Sequence, residues 1–426
     1  MKIICCSDAS RLDKAKDHDL QILLYGRTQQ SDRGSIGANI KDVFGKEKLL
    51  SNPRAWDLMS LALSVIAADT GVRRNSSPDG WTRELDLDIA VSDPSFWNTQ
   101  KKLVEQQLQF LTTDRWHCNF FDAGFVPAEL GSPVEPTEDC VALLSGGLDS
   151  LIGALDLVSR ENRSPLVVSH ITRGDKRIQS AFASDIGGGL RHLQFNHNAT
   201  VPTEREISQR ARSLIFLAYG TCVATTLNAY HKGEIIPLFV PENGFISINP
   251  PLTEGRIGSL STRTTHPIFI SQYQRLLDKA GLRVQVENPY QFSTKGEMFI
   301  GCANQAFLEK EGHKAISCGR YARYGYRHCG RCVPCLVRRA AFHAWGKGDR
   351  SDYEYVDLSL DDNQHARYDD VRSMAMAITQ VNMEGIDSWL APSLNTTTMG
   401  NVDCYKETVE RGLREIEGFF RTAGVL

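Results

Sequence analysis

From residue 140 onward, short apolar runs alternate with segments of helical periodicity. Val141–Leu144, Pro165–His170 and Ile235–Val240 have the length and composition of buried strands. Leu148–Arg160 and His266–Ala280 show apolar residues at helical spacing. Strands that alternate with helices predict an α/β fold with a doubly wound, mostly parallel sheet. Ligands bind beyond the carboxyl ends of the strands in such a sheet, so we expect the functional site in the loops at that edge.

A turn-rich segment, Gly131–Asp139, divides the chain, because its glycine and two prolines interrupt any regular element. Before it, Trp56–Ala68 has helical spacing, and Arg83–Val91 alternates apolar with charged residues as a half-buried strand does. Near the C-terminus, Tyr405–Thr422 has the pattern of an amphipathic helix. We therefore predict an extra N-terminal α+β domain at 1–135, the doubly wound domain at 136–345, and a helical tail at 346–426 that serves packing or homodimer contacts.

Composition excludes several classes of protein. Hydrophobic residues make up 41% and charged residues 23% of the 426 residues, as in globular proteins and unlike disordered or collagen-like chains. The net charge of -3 provides no basic field, so a nucleic-acid partner is not expected. The most apolar stretch, Leu214–Ala224, is far shorter than the ~20 residues of a membrane span. The N-terminus has no signal-peptide pattern, so we expect a cytoplasmic protein without membrane contact.

The loop that follows Leu144 carries candidate chemistry. Its sequence is Ser145-Gly146-Gly147-Leu148-Asp149-Ser150. Two glycines let a ligand approach the backbone, and a helix N-terminus with two serine hydroxyls attracts an anion such as pyrophosphate. Asp149 would repel phosphate unless Mg²⁺ lies between them. An ordinary strand–turn–helix connection with a capping serine is the alternative.

This loop resembles the SGGxDS signature of the PP-loop ATP pyrophosphatases. It lacks the Gly-Lys-Ser/Thr of the Walker loop, which argues against γ-phosphate hydrolysis. The resemblance implies an adenine nucleotide alpha-hydrolase-like fold, cleavage of ATP to AMP and pyrophosphate, and adenylation of a carboxylate or carbonyl oxygen. It also implies that residues 145–150 bind ATP with Mg²⁺ and that Asp149 takes part in catalysis.

Four of the 11 cysteines cluster in one short segment, and the others are scattered. The clustered residues are Cys318, Cys329, Cys332 and Cys335. A Cys-x2-Cys spacing presents two sulfurs from one tight turn, and four thiolates are the ligand set of a closed, structural Zn²⁺ site. An iron–sulfur cluster and neighbouring free thiols are the alternatives. We predict a zinc knuckle with a structural role.

The loop and the cysteines together resemble the 7-cyano-7-deazaguanine synthases (QueC-like proteins). Leu336–Arg339 follows the cysteines as in that family, although the ten residues between Cys318 and Cys329 are slightly more than expected. The resemblance covers about residues 140–345. It implies that ATP activates a 7-carboxy-7-deazaguanine-like substrate, that ammonia forms an amide, and that a second activation dehydrates the amide to the nitrile.

Further site residues follow from the position of polar side chains and from this resemblance. Arg212 would bind the α-phosphate, and Lys295 would stabilise the leaving pyrophosphate. For both residues the alternative is an ordinary position on a helix surface. His170 ends a strand and would lie beside adenine, although a lone histidine is as readily structural. The motif Glu242-Asn243-Gly244 would bind the donor-rich edge of a guanine-like base, with a simple turn as the alternative.

The N-terminal part and the tail have no counterpart in free-standing synthases, and here the chain resembles the longer QueC-like proteins of bacterial anti-phage systems (Qat-type, type IV CBASS). That resemblance implies an antiviral defence ligase that joins the activated deazaguanine to the N-terminal amine of a partner protein from the same operon. A biosynthetic synthase that uses ammonia and a non-catalytic PP-loop scaffold are the alternatives. A tRNA-thiolating enzyme is disfavoured, because Cys222 and Cys302 are isolated.

Overall fold

Two five-stranded sheets form the framework of the protein, and their recorded strand pairs are parallel. The computed structural model describes residues 1–15, 17–127, 131–172, 174–252, 263–359, 370–394 and 399–426. The first sheet contains β1 Lys2–Cys6, β2 Leu20–Gly26, β3 Gly34–Gly37, β4 Glu84–Val91 and β5 Arg115–Asp122. The second sheet contains β6 Cys140–Leu143, β7 Pro165–His170, β8 His192–Phe195, β9 Ile236–Phe239 and β10 Val284–Glu287. The α-helices of the described residues are Ala9–Lys14, Ala38–Lys46, Pro53–Gly71, Pro94–Thr112, Leu148–Ser159, Lys176–Asp185, Arg212–Ala224, Asn228–His231, Gly244–Ile248, Pro267–Lys279, Lys295–Gly301, Gln305–Glu311, Val333–Trp345, Asp370–Glu384, Ile386–Leu394 and Val402–Thr422.

Both sheets share one strand order. The first sheet runs β3-β2-β1-β4-β5, and the second runs β8-β7-β6-β9-β10. In the second sheet, the chain therefore begins at the central strand β6 and passes through β7 to the edge strand β8. It then returns to add β9 and β10 on the other side of β6. A topological switch point lies between β6 and β9, and the loops that follow these two strands border a crevice there. The predicted doubly wound parallel α/β fold is confirmed.

The N-terminal part differs from the predicted α+β domain, because its strand pairs are parallel and helices connect them. In β4, Leu85 and Leu87 are buried in the core, whereas Glu84 and Asp86 are exposed on the opposite face. This alternation is typical of antiparallel sheets with one face in water, so the sequence pattern alone does not indicate the parallel pairing that the structure has. The N-terminal part is thus a second α/β unit.

One hydrophobic core joins the two sheets. Helix Pro53–Gly71 begins with a proline, is capped by Asn52, and is buried along nearly its whole length. Its Trp56 ring lies 4.8 Å from the Phe44 ring, and Phe44 stacks at 5.7 Å on Phe195 of the second sheet. The division at residues 135 and 136 stays a prediction, but the two parts share their core. Within the described part of the chain, every helix is too short or too polar to cross a membrane.

The C-terminal helix Val402–Thr422 packs on the helices of the second sheet. Its apolar side is buried in a second core together with parts of helices Gly244–Ile248 and Val333–Trp345. The buried residues of the C-terminal helix include Val409, Leu413, Ile416 and Phe420. The tail therefore packs within its own chain, and a homodimer stays a prediction.

Candidate nucleotide and metal sites

The loop after β6 is held in one shape by its own side chains. Gly146 has a φ of +86°, a left-handed conformation that favours glycine. Gly147 N donates to Ser145 Oγ at 3.2 Å, and the Ser145 and Ser150 hydroxyls lie 3.0 Å apart. Gly147 is the N-cap of helix Leu148–Ser159. Because first-turn N–H groups have no partner within a helix, this loop has the donors that an anion requires.

Two neighbouring segments brace the loop. The Gln179 amide donates to Ser145 O at 3.2 Å and to His170 O at 2.9 Å, which connects the loop to the end of β7. Ile316 N donates to Gly146 O at 2.9 Å. Gln179 could not be predicted, since one glutamine in a helical segment gives no sign that it is fully buried.

Asp149 is the centre of a buried polar cluster. Lys295 Nζ lies 2.6 Å from Asp149 Oδ1. Asn243 donates to Asp149 Oδ2 from its side chain at 2.7 Å and from its main chain at 3.2 Å. The same Asn243 amide lies 3.4 Å from Glu242 Oε1, so the Glu242 carboxyl group belongs to the cluster as well. Four of the residues predicted for the site therefore meet, although they come from three separate segments.

Helix caps fix the residues around Asp149. Asn243 Oδ1 accepts from Ile246 N at 3.0 Å and caps helix Gly244–Ile248. Thr294 and Glu297 form a capping box at the start of the helix that begins with Lys295. The ammonium group of Lys295 is thus carried by the first residue of a capped helix, and its side chain is only 8% exposed.

The charges of this cluster are unequal. Burial by itself would raise the pKa of Asp149, but the Lys295 ammonium and hydrogen bonds from Glu242 and Asn243 hold that pKa at about 2. Burial and the Asp149 charge raise the pKa of Glu242 well above its ordinary value. At neutral pH Asp149 is ionised, and its negative charge faces the Lys295 ammonium. An ionised carboxylate beside an anion-binding loop fits Mg²⁺, and Asp149 is the residue that would hold it.

His170 and Arg212 lie in a different place from Asp149. They line an open cavity of about 420 Å³ together with His197 and Arg205. The His170 ring stacks on His197 with 4.7 Å between centroids and 8° between planes. Stacked flat rings suit an aromatic base, and the two guanidinium groups suit a phosphate. The structure therefore places Arg212 beside His170 and not in the Asp149 cluster.

His170 and His197 are expected to make the fold less stable in mild acid. Burial lowers the pKa of His170 to about 3, with His197 and Arg212 contributing, and lowers that of His197 to about 4. The unfolded chain takes up these protons at about pH 6.5 and the folded chain does not. The stabilisation is therefore fully present above that pH and is lost as the pH falls toward about 3. In the variant with both histidines changed to Gln, the urea midpoint should fall less steeply across this range. His117→Gln, at an exposed position, is the control, and an unchanged slope in the double variant would contradict the prediction.

Three predicted site residues have little or no side-chain access to a ligand. The Leu148 side chain is buried in the core, so only its main chain can face the loop. A Cβ at Gly244 would lie 2.2 Å from Gln291 O, which shows that glycine is required there for close packing. Asn243 is fully buried, and of the Glu242-Asn243-Gly244 motif only Glu242 is partly exposed.

The four clustered cysteines converge on one point. Their sulfur atoms all lie within 4.8 Å of one another. The Cys318–Cys332 and Cys329–Cys335 sulfur pairs are each 3.9 Å apart. Tetrahedral zinc with Zn–S bonds of about 2.3 Å requires about 3.8 Å between sulfurs, so the four residues fit Zn²⁺ with no open position for a substrate.

The cysteine cluster is linked to the loop after β6. Arg338, three residues after Cys335 in the same helix, is fully buried and donates to Ala315 O at 2.7 Å. The next residue, Ile316, donates to Gly146 O. A metal at the cysteines would therefore stabilise the segment that braces the glycine loop.

Comparison with known proteins gives two related enzymes, and no protein-family profile matches the chain. The 7-cyano-7-deazaguanine synthase of Brucella anthropi is 27% identical over 240 residues, which cover 51% of this chain and 94% of that protein. The enzyme of the same name from Rhizobium rhizogenes is 32% identical over 97 residues, which cover 22% of this chain and 38% of that protein. Together with the fold and the cysteine cluster, this similarity supports a relationship between the chain and the 7-cyano-7-deazaguanine synthases.

Proposed function

We propose that the protein uses ATP to adenylate a 7-carboxy-7-deazaguanine-like carboxylate and then forms an amide from it. The observation that carries the proposal is the loop 145–150 at the topological switch point, with buried Asp149 paired to Lys295. A preformed anion-binding loop with an ionised carboxylate and a buried ammonium suits a nucleotide that loses pyrophosphate. The similarity to the two synthases supports the substrate class.

The first step joins a carboxylate oxygen of the substrate to the α-phosphorus of ATP. The bond from that phosphorus to the bridging oxygen breaks, and pyrophosphate leaves with the electron pair. The loop N–H groups would hold the phosphates, Lys295 would stabilise charge on the leaving pyrophosphate, and Arg212 would contact the α-phosphate beside His170 and adenine. Mg²⁺, when bound at Asp149, would supply positive charge beside the phosphates.

The second step is attack of an amine on the activated carbonyl carbon. A C–N bond forms, the amine nitrogen gives up one proton to solvent, the C–O bond to AMP breaks, and AMP leaves with the oxygen that came from the carboxylate. We propose the N-terminal amine of a partner protein from the same operon as the acceptor, in an antiviral defence role. The partly exposed Glu242 is the residue we propose for contact with the deazaguanine base.

The test combines purified protein, ATP, 7-carboxy-7-deazaguanine and the proteins encoded by neighbouring genes. The proposal predicts AMP and pyrophosphate in equal amounts, and a mass increase on one partner that corresponds to amide formation. Blocking the partner's N-terminal amine by acetylation should remove the mass increase. Formation of ADP, or no turnover with any acid or partner, would contradict the proposal.

A biosynthetic 7-cyano-7-deazaguanine synthase is the second candidate, and the similarity to enzymes of that name favours it. It uses the same adenylation but takes ammonia as the acceptor and then dehydrates the amide. Free nitrile formed from ammonia alone, with no mass change on any partner, would select this candidate. The two candidates therefore differ only in the acceptor and in the second activation.

A further inference from the structure

The C-terminal helix Val402–Thr422 presents a row of polar side chains to the segment that carries Lys295. These side chains are three to four residues apart, so they share one face of the helix. They are Tyr405, Thr408, Arg411 and Glu415. The apolar side of the same helix is anchored in the core, which gives the polar row a fixed position.

The polar row holds residues 291–297 by direct hydrogen bonds. Arg411 Nη2 donates to Phe292 O at 2.7 Å, and Thr408 Oγ1 lies 3.1 Å from the same oxygen. Arg411 Nε also pairs with Glu297 Oε1 at 2.6 Å, and Glu297 belongs to the capping box of the Lys295 helix. The tail therefore contacts the active-site segment before and after Lys295.

Glu415 makes the contacts nearest to Lys295. Its carboxylate accepts from the Thr294 hydroxyl and from Gly296 N, the latter at 3.2 Å, so it holds the two residues that flank Lys295. A Cβ on Gly296 would lie 2.5 Å from Glu415 Oε1. The carboxylate can therefore pack this closely only because residue 296 is a glycine. One side chain of the tail thus fixes the main chain on both sides of the buried lysine.

We propose that Glu415 is a positioning residue, which keeps the Lys295 ammonium against Asp149 by fixing the main chain around Lys295. A lysine side chain has four rotatable bonds, so the place that its ammonium reaches depends on where its backbone is held. A displacement of about 1 Å in a catalytic group can lower a rate roughly a hundredfold. The expected effect on rate rests on the function proposed above, whereas the effect on residues 291–297 does not.

Glu415→Ala and Glu415→Gln test this role, with Glu417→Gln as the matched control. Glu417 lies on the same helix and pairs only within it, with Arg421, among the contacts recorded for it. Glu415→Ala should lower kcat for AMP formation roughly ten- to a hundredfold and leave KM for the acid nearly unchanged. The kcat of Glu415→Gln should lie between those of the wild type and Glu415→Ala, because the amide oxygen of glutamine can still accept one of the two hydrogen bonds. Amide hydrogen exchange in a peptide covering residues 291–299 should be faster in Glu415→Ala and unchanged in Glu417→Gln.

Each outcome decides a separate point. Unchanged exchange in Glu415→Ala would overturn the proposal, whatever the activity. Faster exchange with an unchanged kcat per folded molecule would overturn the positioning role. If the wild-type protein forms no AMP, the proposed function fails, and exchange alone decides whether Glu415 holds the segment. If Glu415→Ala does not fold, the same comparison is made with Glu415→Gln.

Discussion

Asp149→Asn is expected to reduce AMP formation by at least about a hundredfold and to weaken the fold. The substitution removes the negative charge that faces Lys295 at 2.6 Å, and with it the carboxylate proposed to hold Mg²⁺. Both side chains are less than a tenth exposed, so the buried ammonium would lose its nearest counter-ion. Breaking a buried pair in this way costs about 3–5 kcal/mol. A quenched-flow assay with chromatography of AMP measures the loss of activity. Urea unfolding at pH 7 measures the loss of stability.

A double variant separates the two effects of Asp149→Asn. Adding Lys295→Met removes the unpaired ammonium, so Asp149→Asn/Lys295→Met should recover part of the lost stability without recovering activity. Asp185→Asn, at an exposed position in the same part of the chain, is the control for loss of one carboxylate. Wild-type turnover in Asp149→Asn would exclude the proposed role of this residue.

Cys329→Ser is expected to remove bound zinc and to destabilise the protein by several kcal/mol. Cys329 is fully buried, and its sulfur lies 3.9 Å from that of Cys335. Three thiolates bind Zn²⁺ less tightly than four, and the binding free energy of a structural zinc is part of the folding free energy. Because the Arg338 helix and Ile316 connect this cluster to the glycine loop, ATP binding should weaken as well. Elemental analysis, thermal unfolding and ATP calorimetry give the three measurements.

Cys404→Ser is the matched control, since Cys404 is exposed and lies outside the cluster. It should keep one zinc per chain and the wild-type unfolding temperature. Iron together with a visible absorption band in the purified protein would show that the four cysteines hold an iron–sulfur cluster and not zinc. One zinc per chain in Cys329→Ser, at wild-type stability, would contradict the site.

The parts of the site that could be predicted from sequence are those whose residues are close together in the chain. The loop 145–150 has its glycines, serines and Asp149 in one turn, and the later cysteines recur at zinc-ligand spacing. Lys295, Asn243 and Glu242 are predicted separately, from their positions at the end of a strand or the start of a helix and from the family resemblance. Their meeting at Asp149 depends on the strand order of the second sheet, which no local pattern contains.

Contacts between distant segments could not be predicted. Gly37 N donates to His197 O at 2.7 Å, which ties one wall of the His170 cavity to the N-terminal part. Asp69 Oδ2 accepts from Arg210 N at 2.7 Å, across 141 residues of chain, just before the helix that begins with Arg212. A charged residue such as Asp69 is usually on the surface, so a sequence gives no reason to place it in a buried position between two parts of the chain. The N-terminal part therefore helps to build the cavity that contains Arg212.

Transfer of oxygen from the substrate acid to AMP tests the proposed adenylation most directly. The reaction is run with 18O in both carboxylate oxygens of 7-carboxy-7-deazaguanine, with ATP and the amine acceptor, and the AMP is analysed by mass spectrometry. Attack of the carboxylate on the α-phosphorus predicts AMP that carries one 18O atom. AMP without 18O, or ADP as the nucleotide product, would show that the acid does not attack at that phosphorus.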